Sequence, residues 1–198
     1  MTKYVINSGN VRGNKEKAKK CVSETLNGLG GKPKILFCFF ANPREDWESN
    51  FQNFVDDFVN YLPEGIEPQY EMAMPEKFEI QCNHNDVIWI KGGDDHLIQY
   101  WLKKFDLKKI WDKKVLSVSS ASSDAVVDSF WTCDWRASFN GLGLVPIKFI
   151  PHFNSTYGAN DSRGPIDWEK AKNELAEYGD KSLPIYALEE GDYVVFEV

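Results

Sequence analysis

The sequence is poor in the residues that build metal centres and disulfide frameworks. Its four cysteines, Cys21, Cys38, Cys82 and Cys133, lie far apart and form no Cys-x-x-Cys pair. Neither a zinc site nor a disulfide scaffold is expected from them, and the thiols read as reduced, as in a cytoplasmic protein. The three histidines, His84, His96 and His152, show no metal-ligand spacing, so neither a metal nor another cofactor is expected. No run approaches the ~18 apolar residues of a membrane span. The opening Met1-Thr2-Lys3-Tyr4-Val5-Ile6 lacks the apolar core of a signal peptide. A cytoplasmic location without a membrane partner follows as the expectation, and the Asn-x-Ser/Thr triplets at Asn154 and Asn160 then carry no glycan. A basic excess is missing too. With 23 Lys and Arg against 30 Asp and Glu, the formal net charge is −7, which argues against nucleic acid as the main partner. An acidic substrate is still allowed, because a pocket can differ in sign from the surface around it.

What is present suits a folded core. The chain has 198 residues, 42% hydrophobic and 14% aromatic, enough for one globular domain over residues 1–198. Either a monomer or a homodimer is compatible with this reading. No repeat, low-complexity tract or linker interrupts it.

Strand and helix patterns alternate along the chain. Residues 4–8 read as a short strand and 14–29 as a polar helix ended by Gly30-Gly31. Residues 34–41 (KILFCFFA) are nearly all apolar, the signature of a strand buried on both faces. Residues 45–62 place Trp47, Phe51, Phe54, Val55, Phe58 and Leu62 on one helical face, stopped by Pro63 and Gly65. A weaker strand is expected over 66–72. A strong one over 86–91 (DVIWIK) leads through Gly92-Gly93 into a helix reaching about residue 105. Further expectations are a strand over 114–118, a helix over 120–130, a strand over 146–150, a helix over 167–178, and a closing pair of strands, 185–188 and 193–196. The pattern implies an α/β fold, a three-layer sandwich around a mainly parallel central sheet. Ligands in such sheets sit at the carboxyl ends of the strands, so the loops after Lys91, Val118 and Ile150 are where chemistry is sought.

Each of those loops carries something usable. Gly92 and Gly93 expose backbone N–H groups at a helix start, which suits a developing negative charge, although a plain strand-to-helix turn would look the same. Ser120, in Ser119-Ser120-Ala121-Ser122-Ser123, has the placement of a nucleophile on a sharp strand-to-helix turn; a serine-rich helix cap is the plainer alternative. His152, in Pro151-His152-Phe153, can serve as a general base or be an ordinary loop histidine. Asp134, in Trp131-Thr132-Cys133-Asp134-Trp135, can orient that histidine or occupy a surface turn.

In order and spacing these pieces resemble the aspartyl dipeptidase (dipeptidase E) family of the class I glutamine amidotransferase-like superfamily. Lys91-Gly92-Gly93-Asp94-Asp95 falls on the family's Gly-Gly-Gly-Asn-Thr turn. Val118-Ser119-Ser120-Ala121-Ser122 falls on its Gly-x-Ser-Ala-Gly elbow. Thr132-Cys133-Asp134 is similar to its Thr-Asn-Asp segment, and Pro151-His152-Phe153 matches its Pro-His-Phe. Asn7-Ser8-Gly9 and the closing segment Ile185-Tyr186-Ala187-Leu188-Glu189-Glu190-Gly191 extend the likeness to both ends. The resemblance implies a flavodoxin-like fold and a serine exopeptidase that splits dipeptides with an N-terminal aspartate, without a metal. It implies Ser120 as nucleophile, His152 as base, Asp134 as the acid behind it, and the N–H groups of Gly93 and Ala121 as the oxyanion hole. Arg163, eleven residues after His152, falls where the family has an arginine and would read the substrate carboxylate; a solvated loop arginine is the alternative. The sequence departs from the pattern at Lys91, Asp94, Val118 and Ser122, where valine and serine replace elbow glycines. Other readings are a homologue that binds a small ligand or partner without hydrolysis, and a hydrolase acting on an aspartate-rich polymer. A glutaminase of the amidotransferase type is disfavoured, because the elbow carries serine and not cysteine.

Overall fold

The apolar runs become strands buried between helices. In the computed structural model, which describes residues 1–10 and 13–198, β1 (Lys3–Asn7) leads to α1 (Lys15–Leu26), β2 (Lys34–Cys38) to α2 (Trp47–Phe58), and β3 (Gln69–Met72) to α3 (Phe78–His84). Then β4 (Val87–Ile90) precedes α4 (Asp95–Leu102) and the single turn α5 (Leu107–Ile110), and β5 (Val115–Ser119) precedes α6 (Ala121–Val126). The remainder is β6 (Val127–Thr132), β7 (Ala137–Asn140), β8 (Val145–Ile150), α7 (Trp168–Glu177), β9 (Ile185–Ala187) and β10 (Tyr193–Glu197). No described helix is long and apolar enough to cross a membrane.

The α/β architecture with mostly parallel sheets is as expected, but the strands fall into two sheets. Among the described residues one sheet has the order β10-β1-β5-β4-β2-β3, the other β7-β6-β8-β9. The first is parallel apart from β10, the second parallel apart from β7. Three expectations need correction. Residues 120–130 are not one helix: α6 lasts six residues and the chain turns at once into β6. Val127, Phe130 and Trp131 are buried there as strand residues, as their β-branched and aromatic character favours. Residues 137–140, passed over in the sequence, pair with β6. The closing strands do not pair with each other: β9 joins β8, whereas β10 crosses to the other sheet beside β1. The turn between them therefore bridges the two sheets.

Helix ends follow local chemistry. The side chains of Asn14, Asp94 and Asp167 each accept a backbone N–H at the start of α1, α4 and α7, which satisfies donors the helix itself leaves open. The helix expected over 45–62 is α2 flanked by 3-10 turns at Arg44–Asp46 and Val59–Tyr61. Its apolar face packs on β2, where the Phe37 ring lies 5.0 Å from Phe54 and 5.3 Å from Phe58.

Candidate active site

The strand ends of both sheets meet at one place. From the first sheet come Ser8, Gly9 and Asn10 after β1, Gly92 and Gly93 after β4, and Ser120 after β5. From the second come Asp134 after β6, His152 after β8, and Glu190 in the turn between β9 and β10.

Ser120 stands between β5 and α6 with φ 52° and ψ −122°, a strained combination for a residue with a side chain. Its N–H donates to the Asn7 carbonyl (3.0 Å), and its own carbonyl accepts from Asp124 N (3.0 Å). The elbow is tight on both sides. A Cβ on Gly92 would lie 2.6 Å from the Ser119 carbonyl oxygen and 3.0 Å from Ser120 Cβ, and one on Gly9 would lie 2.6 Å from the His152 ring. Glycine at these two positions is what lets the chain approach the serine and the imidazole. The departures Val118 and Ser122 fit the elbow. Val118 is fully buried in β5 between Ile6 and Ile90. Ser122 Oγ donates to the Ile90 carbonyl (2.7 Å) and accepts Ser119 N (2.8 Å), pinning the helix to the strands.

Ser120 Oγ lies 3.0 Å from His152 Nε2. His152 is 6% exposed and has φ 55°. Its backbone N–H donates to Ser8 Oγ (2.7 Å), and the Ser8 hydroxyl donates to the Leu188 carbonyl (2.8 Å). The other ring nitrogen, Nδ1, lies 3.0 Å from Glu190 Oε1. Burial pushes the His152 pKa below its ordinary 6.5, with the Glu190 carboxylate partly opposing the shift. Asn10 Nδ2 donates to the second Glu190 oxygen (2.5 Å), and Gly191 N donates to the Gly9 carbonyl (2.8 Å). Serine, imidazole and carboxylate thus form a continuous chain in which the imidazole can take the serine proton while the carboxylate holds the opposite nitrogen.

Asp134, expected behind the histidine, is hydrogen-bonded elsewhere, and Glu190 takes the Nδ1 side. The Asp134 carboxylate accepts the Tyr157 hydroxyl (2.9 Å), and the Tyr157 ring stacks on the imidazole at 4.4 Å between centroids, tilted by 18°. Asp134 therefore touches the base through a tyrosine. The reason is topological: the β9–β10 turn, pinned to the β1 loop, already occupies the Nδ1 side. Arg163 is likewise engaged. Its Nε and Nη2 grip the two Asp161 oxygens at 2.8 and 2.6 Å, and Nη2 also donates to the Asp134 carbonyl (2.8 Å).

Gly93 and Ala121, expected to supply oxyanion donors, line the same small pocket as Ser120 and His152. The Ala121 N–H belongs to the first turn of α6, where helix geometry leaves donors free. Gly93 has no room for a side chain, since a Cβ would fall 2.3 Å from the Ala41 carbonyl oxygen. A buried acid pair lies behind these two residues. Asp95 in α4 accepts the Thr132 hydroxyl (2.5 Å) and bonds to Asp124 in α6. Burial, then the charge of Asp95, raises the Asp124 carboxyl well above the usual range. The contact between Asp95 and Asp124 ties α4 and α6 together near Gly93 and Ala121.

A nucleophile elbow over a mainly parallel sheet, with an imidazole within hydrogen-bond reach, defines a serine-hydrolase-type α/β protein. The sequence profile of peptidase family S51 matches residues 4–197; the chain belongs to that family and is a serine-type peptidase. Solved structures agree in fold. A peptidase from an acI-B1 actinobacterium superposes with a TM-score of 0.65 at 18% identity, over 99% of this chain and 83% of that one. A candidate peptidase E protein from Listeria monocytogenes EGD-e gives 0.62 at 15% identity, over 100% and 99%. No curated protein matches the sequence.

Proposed function

We propose that the protein hydrolyses short peptides through a Ser120–His152–Glu190 relay. The observation that carries this reading is the unbroken chain of 3.0 Å contacts from Ser120 Oγ through the imidazole to Glu190. Ser120 Oγ attacks the scissile carbonyl while His152 Nε2 takes its proton. The oxyanion that forms is met by the N–H groups of Gly93 and Ala121, which are set in place before the reaction. The imidazolium is stabilised by Glu190, then protonates the leaving amine. His152, neutral again, next takes a proton from water as it attacks the acyl-serine, and returns that proton to Ser120 Oγ as the acid leaves. The family resemblance implies N-terminal aspartate as the favoured first residue. The Arg163 guanidinium here holds Asp161 and the Asp134 carbonyl.

A fluorophosphonate probe tests the activated serine. Wild type is expected to label with one equivalent, and Ser120→Ala not at all. Equal labelling of both, or none of either at pH 7–8, would refute the relay and favour a ligand-binding homologue.

A further inference from the structure

His152 is covered by a residue from its own loop. The Ser155 N–H donates to the His152 carbonyl (3.1 Å), and the Tyr157 N–H donates to Ser155 Oγ (3.1 Å). With His152 and Asn154 at φ 55° and 57°, these bonds curl the chain so that the Tyr157 ring comes back over the imidazole, 4.4 Å away and tilted by 18°. Tyr157 also lines the pocket that holds Ser120, Gly93 and Ala121. It is 37% exposed, against 6% for His152, so its ring is the layer between the base and solvent. Two side chains from the turn between β6 and β7 fasten this layer. Asp134 accepts the phenol hydroxyl (2.9 Å). Burial, helped by that bond, raises the phenol pKa above its ordinary 10, so the hydroxyl stays a donor. Arg136 Nη2 donates to the carbonyls of Gly158 (3.3 Å) and Gly164, and Nη1 to that of Arg163 (3.4 Å), which fixes the loop beyond the tyrosine.

We propose that Tyr157 is a positioning residue of the relay: its ring seats the imidazole on Ser120 and keeps water from it, and its hydroxyl brings the grip of Asp134 to the base. This inference rests on the peptidase reading above and adds a residue to its machinery. Both nitrogens of His152 are taken, Nε2 by Ser120 and Nδ1 by Glu190. Hydrogen bonds in the ring plane resist sliding more than tilting, and a flat neighbour stacked on the face resists the tilt. The cover also governs titration. The ionisable groups that face the imidazole are Glu190 from the β9–β10 turn and Asp134 from the end of β6, and both favour its protonation; burial opposes them and wins. The β1 loop packs there through the uncharged Ser8 and Gly9. Uncovering the ring therefore moves its pKa up towards the ordinary 6.5. An imidazolium also gains from the face of a phenol, but water returned to that face outweighs the loss, as burial outweighs both carboxylates.

The test is a pH–rate series on wild type, Tyr157→Ala and Tyr157→Phe with a short peptide that wild type cleaves. Tyr157→Ala should lower plateau kcat at least about thirtyfold, with KM changed less than about threefold. Its acid limb in kcat/KM should move up by at least about 0.5 pH unit. Tyr157→Phe keeps the stack and should stay within about tenfold of wild type with its limb in place. On Tyr157→Phe, Asp134→Ala should cost at least about threefold less in kcat than on wild type, because the phenol that links it to the base is gone. A second arm needs no turnover. The His152 ring, titrated by NMR and assigned by its loss in His152→Gln, should have a higher midpoint in Ser120→Ala/Tyr157→Ala than in Ser120→Ala. Plateau kcat of Tyr157→Ala near wild type, a limb and an NMR midpoint that stay or fall, Tyr157→Phe as slow as Tyr157→Ala, or an undiminished cost of Asp134→Ala on Tyr157→Phe would each overturn the assignment. Failure of Tyr157→Ala to melt as a folded protein would overturn it too, by giving the ring to the fold. Failure of the peptidase reading shows separately, as absence of fluorophosphonate labelling and of turnover with every peptide, and the NMR titration then still decides whether Tyr157 seats the imidazole.

Discussion

His152 shows how much a single base needs around it. Its backbone is held by Ser8, one ring face is covered by Tyr157, one nitrogen meets Ser120, and the other meets Glu190. Burial lowers its pKa, and the Glu190 carboxylate opposes that. The sign of the pH dependence follows. The base must be neutral, so kcat/KM falls as pH drops through the His152 pKa, with a midpoint below 6.5. Because Glu190 raises that pKa, residual activity of Glu190→Gln should show its acid limb at still lower pH. A pH–rate series on the two proteins checks this, and a limb moved upward in Glu190→Gln would contradict the assigned contact. Ser120 and His152 were legible because each sits in a short motif at a strand end. Glu190 was not, although it lies in the quoted closing segment. An acid in a tight turn 38 residues beyond the histidine has no periodicity or spacing that marks it, and its contact exists only because Gly191, at φ 79°, turns the chain beside Gly9 and Lys17. Asp134 was attractive for a reason that local sequence cannot weigh: it too follows a strand of the second sheet.

At the level of elements, long and short strands alike are legible in the sequence, and the exceptions are β6 and β7. β2 and β4 declare themselves by runs too apolar for any exposed face. The α6–β6 junction does not, because Ala121–Val126 and Val127–Thr132 form one uninterrupted stretch without glycine or proline, and only tertiary contact ends the helix. Gly141 lies against that junction: its N–H donates to the Asp128 carbonyl (2.8 Å), and a Cβ there would sit 2.2 Å from the Val127 carbonyl oxygen. Lys148 is a second feature hidden from sequence. It is fully buried in β8, and its ammonium donates to the carbonyls of Leu175 (2.9 Å), Ala176 (3.1 Å) and Tyr178 (2.5 Å) at the end of α7. A cation there satisfies carbonyls that a helix end leaves open and faces the negative end of its dipole. Lys148→Met should therefore destabilise the fold by about 1–3 kcal/mol, read as a lower melting temperature by ~2–4 °C for each kcal/mol in a chain of this size. An unchanged melt would show that the three carbonyls find other donors at no cost.

Across the whole molecule, the division into two sheets builds the site. The first sheet presents Ser120 and the glycine-rich approaches, the second presents His152, and the turn from β9 to β10 passes between them with Glu190. Alternation of strand and helix revealed the fold class but not this division, because a parallel strand carries no mark of which sheet it will join. Whether Glu190 or Asp134 backs His152 is decided by steady-state kinetics on two isosteric variants. With a short peptide that wild type cleaves, Glu190→Gln should lower kcat about 10³–10⁴-fold, the scale of losing the carboxylate partner of a catalytic imidazole, while remaining folded. Asp134→Asn, which alters the hold on Tyr157 and removes a charge that acts on His152 without a hydrogen bond to it, should lose far less. Near-wild-type turnover in Glu190→Gln with turnover abolished in Asp134→Asn would contradict the account.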